Sequence, residues 1–339
     1  MAEPVDLGAF VVTTVPARLD APAVAPGDPP APGMVWIPGG TFQMGSDFKD
    51  YPEEHPVHPV SVDAFWMDAS TVTNEEYGRF VRATGYVTVA ERPMDPTMYP
   101  DLPPEHLVAG SLVFRQPDGP VDLSNMSNWW KFIPGASWKR PEGPRSDVSK
   151  RRHHPVVHLA WEDIEAYAAW AGKELATEAE WEFAARGGLE GATYTWGNDF
   201  APGGKMMANS WQGQFPWQNL KSDGYARTAP VGSFPANGYG LFDMAGNVWE
   251  WTTDFYTPSH PDAEICNCCT PTNPRVVTPE QSYDVNGDPV SAHIPRKVIK
   301  GGSHLCAPNY CWRYRPAARQ AQMVESGMSH IGFRCILRP

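Results

Sequence analysis

Two thiols stand five positions apart at Cys306 and Cys311, with Pro308 and Asn309 between them to turn the chain. A turn of this kind could bring both sulfurs to one point, and two soft thiolates suit Cu(I). Arg313, Arg315 and Arg319 follow; any of them that faces a sulfur favours the thiolate form. Spacing alone leaves three readings open: a reactive or metal-binding pair, a local disulfide, or two unrelated buried cysteines. A second cluster joins Asp243, Gly246, Val248 and Glu250. Its two carboxylates, with the carbonyls of 246 and 248, can close around a hard cation, and an all-oxygen set is what Ca²⁺ takes. Cys266, Cys268 and Cys269 could also bind metal. No second ligand pair stands at a zinc spacing, so they read as loop cysteines. His153 and His154 read as surface or packing residues for the same reason.

These groups need elements to hold them. Order is expected from Met34, with a turn at Pro38-Gly39-Gly40 and an alternating strand over Thr41–Met44. Thr73 and Glu76 fit a capping box, and Tyr77, Phe80 and Val81 then give one apolar face, predicting a helix that ends before Gly85. A second helix is expected from Asp163 to about Ala171, stopped by Gly172. A third starts with the box Thr177–Glu180 and ends at Gly187-Gly188. The rest reads as loops, turns and short strands.

Composition agrees with that picture. The chain has 339 residues, with 36 prolines, 30 glycines and 14 tryptophans. These counts exclude a helical bundle and point to a loop-rich α+β fold with aromatic packing. Residues 1–33 carry seven prolines and read as an extended tail; residues 34–339 read as one domain. The formal net charge is −12, which gives no general affinity for nucleic acid or anionic membranes. No stretch reaches the ~18 apolar residues of a membrane span, and no basic segment precedes an apolar one at the N-terminus. Six cysteines in a chain this long are no disulfide framework. A cytoplasmic monomer is expected.

The run from Gly301-Gly302-Ser303 through Cys306 and Cys311 to Arg313-Tyr314-Arg315 and Ala317-Ala318-Arg319 resembles the signature of the formylglycine-generating enzymes, also called sulfatase-modifying factors. Further blocks of that family occur in order. They are Trp36-Ile37-Pro38-Gly39-Gly40, His154-Pro155-Val156-Val157, Thr177-Glu178-Ala179-Glu180-Trp181-Glu182, Asn237-Gly238-Tyr239-Gly240-Leu241, Gly246-Asn247-Val248-Trp249-Glu250-Trp251 and Gly332-Phe333-Arg334-Cys335. The resemblance implies an elaborated C-type-lectin-like fold. It implies an oxidase that binds an unfolded sulfatase segment, Cys-x-Pro-x-Arg, and converts its cysteine to formylglycine with O2, copper and a thiol reductant, releasing sulfide.

Residue by residue, Cys306 and Cys311 would be the Cu(I) ligands, and the substrate thiolate would join them. Ser303 would be the active-site serine, with Trp249 and Tyr310 as aromatic residues of the pocket. Asp95 would receive the substrate arginine, while the family's second carboxylate is replaced here by Thr71. Calcium would sit at two places: Asn209, Ser210, Asp223 and Tyr225, and the cluster Asp243, Gly246, Val248 and Glu250. Two disulfides of some members cannot form, since the partner positions are Ala168, Ala185 and Pro316, which leaves Cys335 alone. Two other functions share such a fold, a non-catalytic binding module and an iron-dependent sulfoxide synthase. The cysteine pair argues against the first. Residues 1–33 are too proline-rich to supply the helical iron domain of the second.

Overall fold

The computed structural model describes residues 24–100, 102–260, 270–287 and 291–339. Cys266, Cys268 and Cys269 lie outside these, as does most of the expected tail. In chain order the elements are β1 (Met34–Ile37), β2 (Gly40–Met44), β3 (His58–Val62), β4 (Phe65–Asp68), α1 (Asn74–Thr84), β5 (Gly110–Phe114), β6 (Trp130–Pro134), α2 (Trp161–Ala171) and β7 (Glu174–Leu175). Then come α3 (Glu178–Arg186), β8 (Trp249–Phe255), β9 (Arg296–Lys300), β10 (Arg319–Met323), β11 (Ile331–Gly332) and β12 (Cys335–Leu337). Long loops join these short pieces, and among the described residues no helix is long and apolar enough to cross a membrane.

The helices start where their capping chemistry dictates. In α1 the Thr73 hydroxyl accepts from Glu76 N, the Glu76 carboxylate accepts from Thr73 N at 2.8 Å, and Gly85 closes the helix at φ 72°. In α3 the pair Thr177–Glu180 does the same. Helix α2 begins two residues before its expected start. Ala160 has no capping side chain, so only the reciprocal half of a capping box forms, with the Asp163 carboxylate accepting from Ala160 N at 2.9 Å.

Two four-stranded sheets carry the core. One has the order β1-β4-β12-β7, the other β10-β9-β8-β11, with β8 and β11 parallel. Two hairpins, β2-β3 and β5-β6, stand beside them. Helix α3 is buried along its whole length. Its acids are neutralised from β9 and β10: Glu178 holds Arg319 at 2.8 and 2.9 Å, and Lys300 lies 3.3 Å from Glu178 and 3.0 Å from Glu182. Burial alone would raise both carboxyls, but Arg319 and Lys300 bring Glu178 down to about 2, and Lys300 and Arg186 bring Glu182 down to about 2.

Candidate active site

The cysteine segment leaves β9 through Gly301 and Gly302. A Cβ on Gly302 would lie 2.7 Å from Arg313 O, and its φ is 69°. Only glycine lets the two arms of this loop approach so closely. Two successive turns follow, in which Cys306 N donates to Ser303 O at 2.9 Å and Cys311 N donates to Ala307 O at 2.8 Å. They place the two Sγ atoms 3.0 Å apart. A disulfide bond is about 2.05 Å long, and both thiols are free. Of the three readings open on spacing alone, the structure keeps the reduced, convergent pair.

The pair is almost dry, with Cys306 1% exposed and Cys311 8%. The rings around it come from distant parts of the chain. Trp249 of β8 belongs to the same buried cluster as both cysteines. Tyr310 stacks on Phe215 at 4.5 Å and meets Trp129 edge-on at 5.4 Å. Burial, with both cysteines beside it, pushes the Tyr310 phenol up to about 12. Ser303 is fully buried. Its N lies 3.5 Å from Cys306 Sγ, and its hydroxyl accepts from Leu305 N at 3.2 Å, so it fixes the turn that aims Cys306.

Of the three arginines, one reaches the thiols. Arg313 Nη1 is 3.9 Å from Cys311 Sγ, and its Nη2 is anchored on Glu53 at 2.7 Å. Arg315 forks onto Glu54 at 2.8 and 2.6 Å, and Arg319 goes to Glu178. The hydrogen bond from Cys306 and the Arg313 charge hold Cys311 below the usual thiol range despite burial. Burial and the neighbouring sulfur push Cys306 above it. The two thiols titrate as one coupled pair, and the Arg313 charge favours the loss of its first proton.

Nothing in the sequence singles out Tyr51, Glu53 and Glu54. The Tyr51 ring lies 4.8 Å from the Arg313 guanidinium and 4.7 Å from that of Arg315, and its hydroxyl accepts from Trp312 N at 3.1 Å. These partners are about 260 residues away in sequence, and no local pattern signals such a contact.

The expected metal-binding clusters differ. Around Asn209 and Asp223, the Asp223 carboxylate accepts from Ser210 N at 3.1 Å and Tyr225 N at 2.9 Å. The Gln212 amide nitrogen donates to Ser210 O and lies 3.0 Å from Asp223 Oδ2 and 3.4 Å from Ser210 Oγ. Three oxygens thus converge on one point with positive character, a donor set that fits a hard cation. At the other cluster, Glu250 accepts from Arg334 at 2.7 Å on both oxygens and from Trp181 Nε1 at 2.8 Å. The Glu250 carboxylate is thus neutralised by Arg334 and takes three donors in all, as many as Asp223 takes. Asp243 accepts from Gly232 N at 2.8 Å, and burial raises it to about 6.

Asp95 is separate from the thiols. It lies on the wall of a groove of about 570 Å³, with Oδ1 accepting from Thr97 N and Oγ1 at 2.8 and 2.7 Å. Thr71 is buried, its hydroxyl without a partner among the described residues. Cys335 is fully buried in β12. His153 lies 3.7 Å from Glu75, and His154 meets Thr228 at 3.0 Å; neither belongs to a metal-holding group among the described residues.

A loop-rich α+β domain around a reduced, buried thiol pair defines the class. The family model described as Sulfatase-modifying factor enzyme 1-like domain matches residues 21–339. The chain belongs to this family. It is 50% identical over 307 residues to the formylglycine-generating enzyme of Mycobacterium tuberculosis (strain H37Rv), covering 90% of this chain and 98% of that enzyme. It is also 41% identical over 254 residues to inactive C-alpha-formylglycine-generating enzyme 2 of Mus musculus, covering 73% of this chain and 77% of that protein. Membership alone therefore does not decide between active and inactive, and the site must. The structure of PvdO from Pseudomonas aeruginosa shares the fold, with a TM-score of 0.60 at 22% identity over 90% of this chain and 94% of PvdO.

Proposed function

We propose that this chain is an active formylglycine-generating enzyme, converting the cysteine of a Cys-x-Pro-x-Arg segment in an unfolded sulfatase to formylglycine. The observation that carries the reading is the pair of free thiols 3.0 Å apart in a nearly dry site. A binding module has no need of such a pair. The reaction balances as one cysteine thiol, one O2 and two reductant thiols giving one aldehyde, one hydrogen sulfide, one disulfide and one water. The oxidant and the reductant are external.

Cys306 and Cys311 would hold Cu(I), which suits their soft sulfur donors and would supply the activation of O2. The protein's own groups do the rest. Arg313 keeps Cys311 poised as thiolate, Ser303 fixes the approach of Cys306, and Tyr310 and Trp249 keep bulk water out. Asp95 offers a carboxylate to the substrate arginine, in a pairing that is bidentate and orienting. Asn209, Ser210, Asp223 and Tyr225 would hold Ca²⁺ as a structural ion that ties two loops together.

The test is incubation with Cu(I), O2, a thiol reductant and a Cys-x-Pro-x-Arg peptide, read with an aldehyde-reactive probe. We expect aldehyde and sulfide in equal amounts from the wild type and neither from Cys306→Ser. Equal product from both proteins would overturn the assignment.

A further inference from the structure

A second pocket, of about 210 Å³, opens between the end of β2, the end of α3 and the approach to β10. It shares no lining residue with the groove beside Asp95. One water needs about 10–15 Å³, so the space admits a small organic molecule. Two buried guanidiniums line it: Arg186 is 5% exposed and Arg315 1%.

Neither arginine spends all its donors on the protein. Arg186 turns Nε and Nη2 to Glu182 at 3.2 and 2.6 Å, and Nη2 also donates to Gly45 O at 2.9 Å. Its Nη1 has no partner among the described residues and is the nitrogen left to face the pocket. Glu182 is not Arg186's alone, because Lys300 takes its other oxygen at 3.0 Å. Arg315 gives Nε to Trp312 O and one N–H from each terminal nitrogen to Glu54. One N–H on each terminal nitrogen therefore remains. The rings of Phe48, Tyr51 and Trp312 lie 4.7, 4.7 and 4.9 Å from this guanidinium and fix its plane.

Buried donors without acceptors are costly, and two cations beside one cavity draw negative charge into it. Each guanidinium has committed its paired donors to a glutamate. What is left are single N–H groups on two separate side chains, which suit a head with oxygens on several sides better than a planar carboxylate. Val57, Ala192 and Ala317 give the pocket an apolar wall as well. Asp47 also lines it; this residue is exposed, and its carboxylate makes no hydrogen bond among the described residues. Its charge opposes an anion and limits the affinity.

We propose that this pocket binds a small organic phosphate or sulfate. The tetrahedral head takes the free N–H groups of Arg186 and Arg315, and a short apolar body lies against Val57, Ala192 and Ala317. The site needs neither the thiols nor their reaction.

The experiment is calorimetric titration of the full chain at constant ionic strength with phenyl phosphate, phenyl sulfate, inorganic phosphate and phenol. At least one ester should bind saturably at one site, inorganic phosphate more weakly, and phenol not at all; the tighter ester names the head. Arg186→Lys should raise the Kd of that ester about tenfold, since lysine cannot hold Glu182 and present a further donor as the guanidinium does. Asp47→Asn should lower it about threefold by removing the opposing charge. Because Asp47 is exposed, its variant decides alone if circular dichroism shows Arg186→Lys to be unfolded. No saturable binding of either ester, or phenol binding as tightly, would overturn the site. So would a Kd that Asp47→Asn, or a folded Arg186→Lys, leaves unchanged. Inorganic phosphate binding as tightly as the esters would overturn the apolar body.

Discussion

The thiol pair and the groove beside Asp95 are built in opposite ways. Cys306 and Cys311 are 1% and 8% exposed, ringed by aromatics and steadied by an arginine whose far edge is tied to Glu53. Asp95 lines an open groove of about 570 Å³, with one carboxylate oxygen taken by its own turn at Thr97. The first region is preorganised by burial and tolerates little change. The second is held by short local contacts and buries little against the core. Reactive groups that must exclude water are built on distant, packed elements, whereas a site that captures a flexible chain can stay accessible. Mutations should therefore abolish chemistry in the first region and tune affinity in the second.

Replacing Cys306 with serine puts the largest strain on that contrast. Aldehyde formation should fall on the order of a thousandfold or more, since groups that act as a unit fail together, while peptide binding in the groove persists. Loss of binding as well would show the two regions to be one. Next is Glu178→Gln, which leaves Arg319 without its acid and Lys300 with Glu182 alone. It should cost about 3–5 kcal/mol in urea unfolding.

The same network predicts acid behaviour. Glu178 and Glu182 are depressed to about 2 in the folded state. Their contribution is complete above the unfolded value of about 4.5 and is lost as pH falls from there toward about 2. Stability measured by denaturant across that window should fall steadily, and a flat profile would remove the network from the account. Asp95→Ala should raise KM for the arginine peptide about tenfold with little change in kcat. The smallest effect concerns calcium. Adding Ca²⁺ should raise the melting temperature by about 2–4 °C, and Asp223→Asn should abolish that rise while leaving the aldehyde reaction measurable.

Much of the scaffold is legible because its signals are local. Thr73 with Glu76, Thr177 with Glu180, and the glycines at 85 and 187 state where helices begin and end through chemistry that spans four residues. The sequence places the start of α2 late because its acceptor comes from Asp163 inside the helix, with no capping residue at Ala160. The thiol pair can be found, but not its state, since Cys-x4-Cys spacing serves a disulfide as well as a ligand pair. Which arginine serves the sulfur is not legible at all. Arg313, Arg315 and Arg319 look alike in sequence, and their acids Glu53, Glu54 and Glu178 are assigned by tertiary packing. Glu250 shows the same limit: its counter-ion Arg334 stands far downstream, so the string from Asp243 to Glu250 does not reveal it.

The position of β12 has a consequence for how the molecule comes into being. Ile336 and Leu337 pair with Met67 and Trp66 on one side, and Cys335 pairs with Leu175 on the other, so residues 335–337 close a sheet begun at Met34–Ile37. Arg334, one step before them, is the counter-ion of Glu250. The sheet β1-β4-β12-β7 therefore stays incomplete until residues 335–337 have been made and have docked between β4 and β7.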